Sequence, residues 1–263
     1  MSKRERFVTI EGIVNQKGIA MVADLIKTLQ VSDMTIRRDL DELESQGKLI
    51  RIHGGAQSLA YNNQSELAHR DKKRIHIEEK HAVAEMAAAC IREGDTIFLG
   101  TGTTVECIAD FLQLSYIRVI TNSLPVFQKF QTLHKNYDII LIGGNYRERT
   151  GAFVGSIANE SLQKLRFSRS FIGVNGINRG NLFNSSTEEG STQMLAMQNA
   201  SKRYIVADYY KLGREDFYCF GTLDDVDTLI TNAEIEEDMQ SVCETHTKVL
   251  KAKPLAAPAV EVG

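Results

Sequence analysis

No stretch of this sequence is apolar for long enough to cross a bilayer. The first residues, Met1-Ser2-Lys3-Arg4-Glu5-Arg6, are charged and lack the apolar core of a secretory leader. A cytoplasmic protein is therefore expected. Cysteine is sparse: Cys90, Cys107, Cys219 and Cys243 stand far apart, with no CxxC pair and no Cys/His cluster. That spacing argues against a disulfide framework and against structural zinc. His69, His76, His81, His134 and His246 are dispersed, so no metal is expected. In a reducing compartment, triplets such as Asn63-Gln64-Ser65 are chance matches to a glycosylation signal. There is no internal repeat. An excess of positive charge is also missing: the net charge is −3, so nucleic-acid binding would have to come from a local motif rather than from a basic surface.

What is present suits a globular protein of two parts. The chain has 263 residues, 43% of them hydrophobic and 25% charged, which is long for one small domain. Residues 1–57 read as short helices with a compact tail, and residues 58–76 as a polar linker ending in the basic run His69-Arg70-Asp71-Lys72-Lys73-Arg74. Residues 77–250 read as a larger domain. There, the apolar runs Thr96–Leu99, Ile117–Thr121, Ile139–Ile142, Phe171–Val174, Tyr204–Ala207 and Thr228–Ile230 alternate with helical patterns over Glu78–Arg92, Thr103–Leu112 and Gly155–Leu165. Such alternation predicts an α/β domain with a mostly parallel sheet covered on both faces. Residues 251–263, with Pro254 and Pro258, are expected to be a disordered tail.

The N-terminal part carries a helix-turn-helix pattern. Phe7, Ile10, Ile13 and Val14 share one helical face, with Gly18 as its stop, and Val22, Leu25, Ile26 and Leu29 mark a second helix. Ser32 is placed to cap a third helix, in which Ile36, Leu40 and Leu43 turn inward and Thr35, Arg37 and Arg38 turn elsewhere. Polar and basic groups near the start of such a helix suit the major groove. Lys48–His53 predicts a short β-wing, turned at Gly54-Gly55, with Lys48, Arg51 and His53 near the DNA backbone. A three-helix protein-interaction domain with solvated arginines satisfies the same spacing.

In the larger part, Ile97-Phe98-Leu99-Gly100-Thr101-Gly102-Thr103-Thr104-Val105 runs from a strand through a Gly/Thr loop into a helix. Glycine lets backbone approach a ligand, and hydroxyls and amides there can hold an anion. Val105 stands where a dinucleotide fingerprint needs glycine, and no Gly-Lys-Ser/Thr follows. A small phosphate ester fits better than a nucleotide, and a plain strand-to-helix turn fits equally. Polar clusters follow other strands: Thr121-Asn122-Ser123, Gly143-Gly144-Asn145, Asn175-Gly176-Ile177-Asn178, and Asp208 to Gly213. On one sheet edge they would form a single site.

The pattern at Arg6, Ile10, Val14, Ser32, Thr35, Ile36, Arg37, Arg38, Asp39 and Leu40, with the wing-like Ile50-Arg51-Ile52-His53-Gly54-Gly55-Ala56, resembles the DNA-binding signature of the DeoR family of bacterial repressors. The resemblance extends to about residue 250. It implies a winged helix-turn-helix binding operator DNA through Ser32, Thr35, Arg37, Arg38, Arg51 and His53. It also implies an α/β sensor domain resembling the ribose-5-phosphate isomerase and glucosamine-6-phosphate deaminase type of fold. Carried over, the effector residues are Gly102, Thr103, Thr104, Asn122, Gly143, Gly144, Glu189, Asp208 and Lys211. A solvated helix start remains the other reading of Glu188 and Glu189. Family members often have Lys where Gln193 stands. Stretches such as 153–168 and 211–217 are similar to repressors of lactose phosphotransferase operons, which implies tagatose-6-phosphate as inducer. A homo-oligomer, dimer or tetramer, is expected because one short recognition helix contacts few base pairs, and no membrane association, cofactor or catalytic residue is expected. The rival reading is a sugar-phosphate isomerase or deaminase with an accessory N-terminal domain, using Glu189 or Asp208 as base.

Overall fold

In the computed structural model, the described residues are 2–17, 19–52, 54–58 and 69–255. They fall into two compact units: an N-terminal one, and a larger one that takes in residues 69–73 and resumes at Ile77.

The N-terminal unit runs α1 (Lys3–Lys17), β1 (Ile19–Met21), α2 (Val22–Leu29), α3 (Asp33–Ser45), β2 (Leu49–Ile52) and β3 (Gly55–Ser58). Ile10, Val14, Leu25, Ile36, Leu40 and Leu43 recur at helical spacing, and all are buried in one apolar cluster. The α2–α3 corner is sharp because Gln30 takes a left-handed conformation (φ 53°). Ser32 then caps α3, its hydroxyl accepting from the Thr35 amide at 3.3 Å. Arg6 Nε donates to the buried Asp39 carboxylate at 2.7 Å and so fastens α1 to α3. The strands form a three-stranded antiparallel sheet, ordered β1-β3-β2. This is a winged helix-turn-helix. Gly18 and His53 lie outside the described residues.

The larger unit runs α4 (His69–Lys72), α5 (Ile77–Ala89), β4 (Thr96–Leu99), α6 (Thr103–Cys107), β5 (Arg118–Thr121), α7 (Leu124–Leu133), β6 (Asp138–Leu141), β7 (Asn145–Arg147), β8 (Ala152–Val154), α8 (Ser156–Gln163) and β9 (Phe167–Gly173). It continues through β10 (Gly176–Asn178), β11 (Asn181–Asn184), α9 (Thr187–Gln198), β12 (Ala200–Val206), β13 (Tyr218–Thr222), β14 (Thr228–Asn232), α10 (Glu237–Glu244) and β15 (Lys248–Ala252). Seven strands form a parallel sheet in the order β15-β14-β12-β9-β4-β5-β6. Alternate residues of β4 go to opposite faces. Ile97 and Leu99 join one core with α5 and α7, and Phe98 joins a second with α8 and α9. The expected α/β architecture with both sheet faces covered is therefore present.

Two boundaries need correction. The expected linker over 58–76 contains structure at both ends: Ser58 closes β3, and His69–Lys72 form α4. The basic run is drawn onto the larger unit because a buried carboxylate, Glu106, takes its cations. The tail expected from 251 begins later, since Lys251 and Ala252 pair with Thr231 and Asn232 of β14. Pairing there satisfies backbone groups of β14, and Ala252 is buried. Residues 256–263 lie outside the described residues. The helix expected over Thr103–Leu112 is α-helical only to Cys107 and tightens into a 3-10 turn at Ile108–Phe111.

Candidate functional site

The exposed face of α3 is unevenly committed. Arg37 Nε is paired with Asp33 at 2.6 Å, one turn back. Ser32 and Thr35 share a hydroxyl–hydroxyl bond of 2.8 Å at the cap. Arg51 is engaged three ways: its amide donates to Glu44, its Nε to Asp41 at 2.8 Å, and its guanidinium to the Gly55 carbonyl. It ties the wing to α3 rather than projecting from it. Arg38 is exposed and has no hydrogen bond or ion pair among the described residues. Among the five described residues carried over for DNA contact, Arg38 is thus the one already available, and Arg37 becomes so by releasing Asp33.

In the larger unit the chain order sets a switch point. From β4 it steps to β5 and β6 on one side, while β9, β12, β14 and β15 fill the other. The winding reverses between β4 and β9, and open α/β sheets take their ligands outside the carboxyl ends of the strands at such a point. The Gly100–Thr104 loop leaves β4 there, and Gly173 ends β9. Gly102 sits at φ 125°, open to glycine alone. A Cβ on Gly173 would lie 2.8 Å from the Thr101 carbonyl oxygen, so the two loops touch through backbone.

Side chains then converge on that edge. Thr101 donates its hydroxyl to Glu189 at 2.7 Å, and Arg147 reaches the other oxygen of Glu189 at 3.2 Å. Glu189 is only 2% exposed, which removes the reading of it as a solvated helix start; Glu188 is exposed. Gln193 donates to the Gly173 carbonyl (3.2 Å) and Thr101 hydroxyl (3.3 Å), and accepts from Asn184 at 2.9 Å. It staples the switch point.

Two strands along, Asp208 follows β12 at the start of a 3-10 turn with 1% exposure, and neither carboxylate oxygen has a hydrogen-bond partner among the described residues. Lys80 and Lys211 face it electrostatically. Burial lowers the Lys80 ammonium to about 8, against the pull of Asp208. Burial likewise lowers Lys211, again opposed by Asp208. Lys80 also donates to the Lys72 carbonyl at 2.5 Å, and Lys72 Nζ donates to Asn175 at 3.1 Å. Glu106 closes the group, 2.7 Å from Lys73 and 3.2 Å from His69. Burial alone would push its carboxyl up, but hydrogen bonds from His69 and Lys73 outweigh that and hold it down at about 2.

Asn122 is buried and donates to the Phe153 carbonyl at 2.9 Å. Gly144 lies against the Val154 carbonyl, which an added Cβ would meet at 2.7 Å, while Gly143 has open space beside it. Thr103 and Thr104 are buried in the first turn of α6. Sequence patterning does not single out Lys72, Lys73, Lys80, Arg147 or Thr101 for this edge. The basic run is a visible signal, but its composition equally suits a linker. Away from this edge, His81, Cys107 and Asp110 bring possible ligand atoms within 4.8 Å of one another, with Lys129 already held by Asp110 at 2.5 Å.

Comparison with known proteins bears on both units. Residues 6–61 match the DeoR-like helix-turn-helix domain, and residues 75–233 the DeoR C-terminal sensor domain. The chain is 41% identical over 245 residues to a lactose phosphotransferase system repressor of Staphylococcus aureus (strain NCTC 8325 / PS 47), covering 92% of this chain and 97% of that one. It is 42% identical over 243 residues to the repressor of the same name from Streptococcus mutans, with the same coverage. Among solved structures, ribose 5-phosphate isomerase A from Neisseria gonorrhoeae overlaps 51% of this chain and 52% of its own at a TM-score of 0.36 and 16% identity. That overlap is too loose to carry an argument. Among the described residues no helix is long and apolar enough to cross a membrane. With both family domains in order along the sequence, the chain belongs to the DeoR family of DNA-binding, sugar-responsive transcriptional repressors.

Proposed function

We propose that this protein represses an operon of lactose or galactose catabolism in the cytoplasm. It binds duplex operator DNA as a homo-oligomer, dimer or tetramer, through α3 and the wing, and a phosphorylated sugar releases it. Arg38 and Arg37 supply the groove contacts, and Ser32, Thr35 and Arg51 hold the helix and wing in place. One recognition helix covers few base pairs, so paired half-sites supply the missing affinity.

The observation that carries the effector reading is Asp208. A buried carboxylate with both oxygens unpartnered is costly unless donors complete it, and sugar hydroxyls are such donors. Lys80, Lys211 and Arg147 offer the charge that a phosphate needs, and the Gly102–Thr104 loop offers close backbone approach. Asn122, Gly143, Gly144 and Glu189 would frame the remaining walls. The resemblance of stretches 153–168 and 211–217 to repressors of lactose phosphotransferase operons makes tagatose-6-phosphate the first inducer to test. Its effect on DNA binding is limited by its differential affinity for the two forms, about 1–3 kcal/mol.

A thermal-shift panel of sugar phosphates, followed by gel shifts on promoter duplexes from lactose and galactose operons, tests the reading. Tagatose-6-phosphate should raise the melting temperature and dissolve the shifted band. No sequence-specific shift at moderate salt, or no response to any sugar phosphate, overturns it. The same incubations, assayed for turnover, should show none, as befits a regulator.

A further inference from the structure

We propose that Met34 reads a thymine methyl group, beside a guanine read by Arg38. The inference rests on operator binding through α3 and adds a specificity residue to it. Met34 is the second residue of α3 and is 80% exposed, the most exposed large apolar side chain in the described residues. Its surroundings on the helix are polar: the Asp33–Arg37 ion pair on one side and the Ser32–Thr35 cap on the other.

Met34 and Arg38 are four residues apart and share one helical face. Neither is engaged among the described residues: Arg38 has no hydrogen bond or ion pair there, and Met34 is outside the buried cluster of its unit. The first turn of a recognition helix meets base edges. The thymine C5-methyl is the apolar group offered there, and guanine O6 and N7 suit a bidentate arginine. A flexible thioether settles on a methyl without demanding one geometry. Leaving such a chain in water gains nothing, whereas covering a methyl removes apolar surface from both partners.

The test uses the full-length protein and a randomised duplex library. The wild type should enrich a thymine next to a guanine in each half-site. Met34→Ala and the polar Met34→Gln should lose the thymine preference and keep the guanine. Arg38→Ala should lose the guanine. Deoxyuridine is then substituted for that thymine, which removes only the methyl. The wild type should weaken about fourfold per half-site, the factor expected for one buried methyl-sized group. The Met34 variants should not distinguish the two bases. Equal wild-type affinity for thymine and deoxyuridine, or a thymine preference that survives both substitutions, overturns the proposal while leaving operator binding intact. If the wild type enriches no sequence at all, operator reading by α3 falls and the proposal with it. Since Met34 packs against little, the variants should keep the wild-type melting temperature, which shows that any loss is one of recognition.

Discussion

Single residues divide by whether their bonds are already spent. Arg38 is unspent, so Arg38→Ala should cut operator affinity about 5- to 150-fold with no change in melting temperature, as read by fluorescence anisotropy. Unchanged affinity would remove α3 as the reading helix. The Arg51 guanidinium is spent on Asp41 and the Gly55 carbonyl, so its loss should loosen the wing and lower stability as well as affinity. Two titrations follow from burial. Glu106 is held at about 2, below its ordinary 4.5. Its pairing with His69 and Lys73 therefore contributes stability above pH 4.5, and that stability drains away as pH falls toward 2. Melting curves of Glu106→Gln should show a flatter acid limb. Lys80 is the opposite case, a cation lowered to about 8 from 10.5. The unfolded chain keeps that proton to higher pH, so the fold gains stability as pH rises from 8 to 10.5. A phosphate ester needs the ammonium, so its affinity should fall over the same range, and Lys80→Met should bind weakly with no such slope. Equal slopes in isothermal titration calorimetry would remove Lys80 from the site.

At the scale of elements, α3 is legible in the amino-acid order alone. Ser32 followed by Ile36, Leu40 and Leu43 gives a cap and an inward stripe, and local chemistry is enough to fix both. Leu40 is fully buried. Leu40→Ala should cost about 2–5 kcal/mol in urea unfolding, and it should abolish DNA binding by melting the unit rather than by removing a contact. The α4 segment is not legible in this way. Its basic run reads as a solvated linker until Glu106, 33 residues from Lys73, supplies a buried partner. Strand β15 is equally hard to see, because Lys248-Val249-Leu250-Lys251-Ala252 is short and mixes lysine with apolar residues, as edge strands do. At the switch point, Gly173→Ala would set a Cβ 2.8 Å from the Thr101 carbonyl. The β4 and β9 loops must then part. The sugar-phosphate response should drop at least tenfold while operator binding persists, and a normal response in paired gel shifts would show that the site is elsewhere.

At the scale of the whole molecule, the described residues form one apolar cluster in the N-terminal unit and two more across the sheet of the larger one. Effector binding should therefore raise the melting of the sensor unit alone, by about 2.7 kcal/mol at a hundredfold excess over Kd. Calorimetry in which both transitions move together would show one cooperative body instead. The amino-acid order by itself determined the two-unit plan, the helix-turn-helix, the Gly/Thr loop and six strands of the parallel sheet, since all are written in periodicity, caps and glycines within a few residues of each other. Tertiary structure alone decided which polar groups meet: Arg147 with Glu189, Lys80 with Asp208, and Lys73 with Glu106. Those pairings join positions far apart in the chain. They form because a buried charge must find a partner wherever the folded sheet and helices bring one within reach.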